Sequence, residues 1–193
     1  DWSSDVCSSD LSLDFYALQD IHSIKRQIYA HKGGGTIQVA GHNIKLGRGG
    51  IREIEFFVQT QQLIWGGRVP GTRSPQTLVA LDALTEKGFV APAVRDDLAC
   101  VYRYLRMLEH RLQMVADEQT QTMPTDADKL EHLAAFMGYP NRPAFEADVE
   151  AALRVVETHY AGLFEDAPSL AIRSEEHTSE LQSHGYISYA VFC

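Results

Sequence analysis

The sequence predicts a mainly α fold, a bundle of five or six helices with a short extended or hairpin arm near its start. Three observations point there. Apolar residues recur three and four apart along most of the chain. Glycine and proline punctuate those stretches. One stretch alone, TIQVAGHNIKL (residues 36–46), alternates apolar and polar residues in the two-residue period of extended chain. With 193 residues, 45% of them hydrophobic, the chain is long enough to bury a core.

Taken in order, DFYALQDIHSIKRQIYAHK (14–32) places Phe15, Leu18, Ile21, Ile24 and Ile28 on one helical face, and KGGG at 32–35 ends it. The alternating arm follows, turning around Gly41. A helix is expected from about Gly50 to Trp65, then a loop, GGRVPGTRSP. Ser74 and Pro75 suit a cap and first turn, starting a helix that runs to about Lys87 and stops at Gly88. The longest helix is expected from Pro92 to Glu118. Its apolar positions are Val94, Leu98, Val101, Leu105, Leu108, Leu112 and Val115, alternately four and three apart. That spacing fits a two-stranded coiled coil. Tyr102, Tyr104 and Met107 widen the stripe, which favours a helix packed within a bundle. Thr125 to Asp128 reads as a capping box with Asp in place of Glu, opening a helix that ends near Gly138-Tyr139-Pro140. A last helix, from about Pro143 to Phe164, presents Phe145, Val149, Ala152, Val156, Tyr160 and Leu163.

Both ends depart from this pattern. The start, DWSSDVCSSDL, and the finish, RSEEHTSELQSHGYISYAVFC, are related through DNA. A DNA encoding RSEEHTSELQS resembles a widely used sequencing-adapter oligonucleotide. Its reverse complement, read in one frame, gives DWSSDVCSSDL, and ISYAVFC resembles the adapter's distal arm. Residues 1–11 and 173–193 are therefore read as translated adapter and set aside. No methionine opens the remainder, so residues 12–172 are expected to be an internal piece of a longer protein. The formal charge is −9 for the whole chain. Asp1, Asp5, Asp10, Glu175, Glu176 and Glu180 with Arg173 account for −5 of it, leaving −4 for residues 12–172. An acidic balance disfavours a nucleic-acid binder, and no apolar run is long enough to cross a bilayer. Cys7, Cys100 and Cys193 form neither a disulfide framework nor a zinc site by spacing, so a reducing, cytoplasmic setting is expected.

The chemistry-bearing stretch is HNIKLGRGGIREIEFFVQ, residues 42–59. Gly47, Gly49 and Gly50 permit unusual backbone geometry, and Gly50 leads into a helix whose first turns carry free N–H groups and a positive dipole end. Lys45, Arg48 and Arg52 add cationic donors, so phosphate or nucleotide contact by Lys45, Arg48, Gly49, Gly50 and Arg52 is one reading. Glu53 and Glu55 then serve as polar support. The other reading is a plain helix start, with Glu53 and Glu55 as dipole partners. No G-K-[ST] closes a Walker loop, and no dinucleotide fingerprint is present. Two carboxylates two apart on a helix face different sides and make a poor metal pair. His110 reads as a surface or interface group, His159 and Tyr160 as packing, and Asp117 or Gln119 as polar groups open to a ligand. No nucleophilic triad can be argued, so no catalytic residue and no metal ligand is assigned.

Three blocks carry a resemblance that spacing alone does not supply: NIKLGRGGIREIEFFVQTQQLIWGGR, SPQTLVALDALTEKGFV, and YRYLRMLEHRLQMVADEQTQTMP. In this order they resemble the bifunctional enzyme that adenylylates and deadenylylates glutamine synthetase, over residues 14–170. A shorter pattern, K-x-G-x-GG-[IL]-R-[DE], filled here by Lys45, Gly47, Gly49, Gly50, Ile51, Arg52 and Glu53, is similar to the helical region of PII uridylyltransferase. The resemblance implies a parent in which each half joins a nucleotidyltransferase domain to a helical domain. One half moves AMP from ATP to a tyrosine of glutamine synthetase. The other, which GGIREIEF resembles more, removes it by phosphorolysis and releases ADP. Residues 12–49 would be the tail of the catalytic domain with a linking arm, and residues 50–172 the helical domain. The implied cofactors are Mg²⁺ and ATP or phosphate, and the implied partners are glutamine synthetase and the PII signal protein. The family's metal-binding carboxylates precede the matched region, Asp14 is given no catalytic role, and the piece by itself is expected to be inactive. Two other readings stay open: a helical module docking glutamine synthetase or PII, and the helical region of PII uridylyltransferase itself.

Overall fold

The computed structural model describes residues 37–116 and 119–165. Both ends, the helix expected over 14–32, and Asp117 lie outside them, as does the Leu163 side chain. The described residues form five α-helices: α1 (Ile51–Trp65), α2 (Thr77–Glu86), α3 (Pro92–Ala116), α4 (Ala127–Met137) and α5 (Arg142–Glu165). A 3-10 turn at Pro70–Thr72 joins α1 to α2. The mainly α bundle is the fold that the apolar spacing predicts.

The long helix α3 is the axis of the bundle and packs against each of the other four helices. Leu98, Leu105, Leu108 and Leu112 are buried along its inner side. They meet Ile51, Ile54 and Val58 of α1, Leu81 and Leu84 of α2, Leu130 and Leu133 of α4, and Phe145, Val149, Leu153 and Val156 of α5 in one apolar core. The heptad seam is thus satisfied within the chain. Tyr104 widens it as expected, but Met107 and the terminal Val115 are exposed. Met107 lies on the outer face of this 25-residue helix and Val115 in its last turn. Two aromatic pairs close the ends of the bundle: Trp65 stacks on Phe89 at 4.2 Å, and Tyr139 meets Phe145 edge-on at 5.3 Å.

Helix ends follow the sequence closely, with two corrections. The helix expected at Ser74 begins at Thr77, because the Ser74 carbonyl accepts from Gln62 Nε2 at 2.8 Å and is withdrawn from helical pairing. Thr125 is not the cap of α4. Asp126 is, accepting from Asp128 and Lys129 N–H at 3.1 and 3.0 Å. An ionised carboxylate one residue later is the stronger acceptor at a positive helix end. Asp126→Ala is therefore expected to cost about 1 kcal/mol in a urea melt, whereas Thr125→Ala should leave the midpoint within error. α4 ends at Gly138, where the sequence predicts a stop, and the structure adds that this glycine takes the left-handed conformation.

The arm around Gly41 contains no strand among the described residues. It turns at Val39–His42 and then forms a single antiparallel bridge, Asn43 with Thr122, far along the chain. Ile44 N–H donates to Gln121 O at 2.9 Å, and Met123 N–H to His42 O at 2.8 Å. The extended segment thus takes its partner from the α3–α4 connection and forms no hairpin with itself. Cys100 is buried on α3.

Candidate functional site

Residues 42–53 form a closed turn at the start of α1. Asn43, which the sequence reading passed over, organises it. Its side-chain oxygen accepts from Lys45 N–H at 3.1 Å and Leu46 N–H at 2.7 Å, and its carbonyl accepts from Gly47 N–H at 2.7 Å. An Asn placed just before a glycine-rich turn is the local signal that could have revealed this. His42 Nε2 lies 3.0 Å from the Arg48 carbonyl. Burial holds the His42 pKa below its ordinary value, against the opposing pull of that carbonyl.

The free N–H groups expected at the start of α1 are consumed by the turn itself. Gly50 N–H donates to Gly47 O at 3.1 Å, Ile51 to Ile44 O at 3.0 Å, Arg52 to Lys45 O at 3.0 Å and Glu53 to Gly50 O at 3.0 Å. Gly49 N–H donates at 2.9 Å to Glu53 Oε2, whose side chain is buried. Glu53 thereby reaches back over the helix start as the third residue of a capping box does. The backbone is a self-satisfied helix entrance, so an anion would have to be met by side chains.

Those side chains are brought to one turn, and each is paired with a carboxylate. Lys45 Nζ lies 3.3 Å from Glu109 Oε1 on α3. Arg48 pairs with Glu157 on α5. Arg52 donates to Glu55 at 3.0 Å within α1. Lys45 and Arg48 therefore lash the turn to two different helices. The Arg52 side chain is 61% exposed and remains the most accessible cation of the three. Glu53 and Glu55 do face different sides, one into the core and one onto Arg52.

Glu109, beside His110 in the sequence, carries no local signal of its role. It is 2% exposed and is clasped between Lys45 and Arg106, the latter at 2.8 Å. His110 is exposed, as expected. His159 is more than packing, with Nε2 2.9 Å from Asp97 Oδ2, tying α5 to the start of α3. Tyr160 is buried, edge-on to Phe56, and burial with the nearby Glu53 charge raises its pKa. Burial also raises Tyr104, and pushes Tyr139, whose hydroxyl lies 3.3 Å from that of Tyr104, up to about 12. Gln119 is exposed. Among the described residues no group of three His, Cys, Asp or Glu side chains could hold a metal ion.

The family model described as GlnD PII-uridylyltransferase matches residues 22–164. The bifunctional glutamine synthetase adenylyltransferase/adenylyl-removing enzyme of Xanthobacter autotrophicus is 56% identical over 160 residues, covering 83% of this chain. The proteins of that name from Brucella melitensis and Mesorhizobium japonicum are 56% and 55% identical, over 84% and 82% of it. The chain spans only 16% of the length of each of these relatives. The chain belongs to the GlnD PII-uridylyltransferase family, and its relatives at this identity bear the name of the enzyme that adenylylates and deadenylylates glutamine synthetase.

Proposed function

We propose that the chain is a helical segment of a bifunctional enzyme that transfers AMP from ATP to a tyrosine of glutamine synthetase and removes it by phosphorolysis. The observation that carries this reading is 56% identity over 160 residues to proteins of that name. Residues 50–172 would be the helical domain, and residues 12–49 the tail of a nucleotidyltransferase domain with its linking arm. GGIREIEF supports the adenylyl-removing half. Mg²⁺ and ATP or phosphate would be bound with carboxylates supplied elsewhere in the longer protein, and the segment by itself would be inactive. Glutamine synthetase and the PII signal protein are the proposed partners, in the cytoplasm.

Within that enzyme, Lys45, Arg48 and Arg52 would form a cationic rim that contacts phosphate, with Gly49 and Gly50 setting the turn and Glu53 and Glu55 holding it. The exposure of Arg52 supports a contact through side chains. In the full-length enzyme, Arg52→Glu should weaken phosphorolysis of adenylylated glutamine synthetase. Losing one charge-assisted contact corresponds to roughly a tenfold fall in kcat/KM for phosphate. Lys45→Glu should act in the same direction, with some loss of stability through Glu109. Unchanged phosphate and nucleotide dependence in both variants would sink the rim assignment.

The family description favours one second reading, the helical region of a PII uridylyltransferase. The downstream reading frame separates the two. A second nucleotidyltransferase domain supports the first, and a metal-dependent His-Asp phosphohydrolase motif the second.

A further inference from the structure

The outer face of α3 repeats the spacing of its inner face with different chemistry. Arg103, Met107, His110 and Met114 are four, three and four apart, so they line one side of the helix. Met107 and Met114 are 40% and 70% exposed. With Leu78 of α2 they border an open cleft of about 460 Å³. Arg106 and Arg111 lie along the same cleft, and Arg111 extends it toward α4 by donating to the Phe136 carbonyl and lying 5.3 Å over the Phe136 ring. Phe136 is itself exposed.

Charge distinguishes this strip from an ordinary solvated face. From residue 98 to the end of α3 the one acidic residue is Glu109, and it is buried beneath the strip. The exposed charge is therefore all positive, on a chain whose formal charge is −9. Methionines adapt their shape to an apolar partner, and arginines bordering an apolar floor are favoured where a carboxylate is to be met.

We infer that this cleft is a docking groove for an acidic amphipathic helix of a partner protein. Such a helix would lay apolar residues, spaced three and four apart, on Met107, Met114 and Leu78, with its flanking carboxylates on Arg103, Arg106 and Arg111. A second copy of this chain is a poorer occupant, because a two-fold contact sets the same arginines against one another. A nucleic acid would need a wider basic face and would leave the apolar floor unmet. The inference stands on the groove alone and is independent of the proposed enzymatic function.

The test uses the full 193-residue chain and a fluorescein-labelled peptide of about 20 residues, long enough for several helical turns, with leucine on one face and glutamate on its flanks. Anisotropy should show saturable binding. Arg103→Glu combined with Met114→Glu, both at exposed positions, should weaken it about tenfold or more. Amide shifts on the unaltered chain should cluster at Arg103, Met107, His110 and Met114, which reads the site without any variant. A peptide with lysine for glutamate, or with the same residues scrambled off one face, should not bind. Absence of saturation up to about 1 mM, equal binding of the scrambled peptide, or shifts elsewhere would overturn the inference. So would concentration-dependent dimerisation that occludes the same amides, or binding to phosphatidylserine vesicles in place of the peptide.

Discussion

Gly49→Ala is expected to destabilise the fold by about 3–4 kcal/mol. Two independent penalties add. Gly49 has φ +72, in the left-handed region, which costs a residue with a Cβ about 1–2 kcal/mol. That Cβ would also lie 2.7 Å from the Leu153 carbonyl carbon and 2.9 Å from its Cα, in the middle of α5. Backbone on both sides of the clash cannot rotate away, and overpacking of this kind costs roughly 1–3 kcal/mol. For a chain of this length the thermal midpoint should fall by roughly 10 °C, read by circular dichroism. Gly138→Ala is the matched control. Gly138 has φ +90 but open space around it, so it carries the backbone penalty alone and should lose only about a third as much. Equal losses would mean that the approach of the turn to α5 does not matter.

Glu109→Ala should cost about 2–3 kcal/mol in urea denaturation. The carboxylate is buried, while Lys45 and Arg106 have side-chain exposures of 29% and 37%. Solvent screening on the cationic side places the loss at or below the lower end of the range for broken buried ion pairs. Lys45→Met by itself should leave Glu109 held by Arg106 and lose less. Glu109→Leu by itself should lose about as much as Glu109→Ala, and the pair Lys45→Met with Glu109→Leu should recover much of that loss, because two apolar groups of similar size need no desolvation. Strict additivity in the double-mutant cycle would show that Lys45 and Glu109 are not coupled. In the proposed full-length enzyme the same variants would bear on the proposed cationic rim, since Lys45 pairs with Glu109.

Much of the fold was legible because helices announce themselves locally. The alternation of four and three along α3, and the stops at Gly88 and Gly138, are relations among near neighbours and survived into the structure. The errors fall where two local options compete. Ser74 and Thr125 are both good caps in isolation, yet Gln62 claims the Ser74 carbonyl and Asp126 outbids Thr125. The alternation along residues 36–46 predicts extended chain, but nothing in it points to the partner at 121–123, because a single bridge between distant segments imposes no pattern on the partner segment.

The same division runs through the glycine-rich turn. From the sequence by itself, residues 45–52 bring three cations and three glycines to a helix start, and family resemblance marks the stretch as a signature. Which donors remain available there was a tertiary matter. The N–H groups are taken by Asn43, Ile44, Lys45, Gly47, Gly50 and Glu53, and the cations by Glu109, Glu157 and Glu55. Residue type sets what charge and backbone freedom a position offers. Only packing decides which acceptor reaches it first, because Glu109 of α3 lies 64 residues beyond Lys45 and Glu157 of α5 lies 109 beyond Arg48.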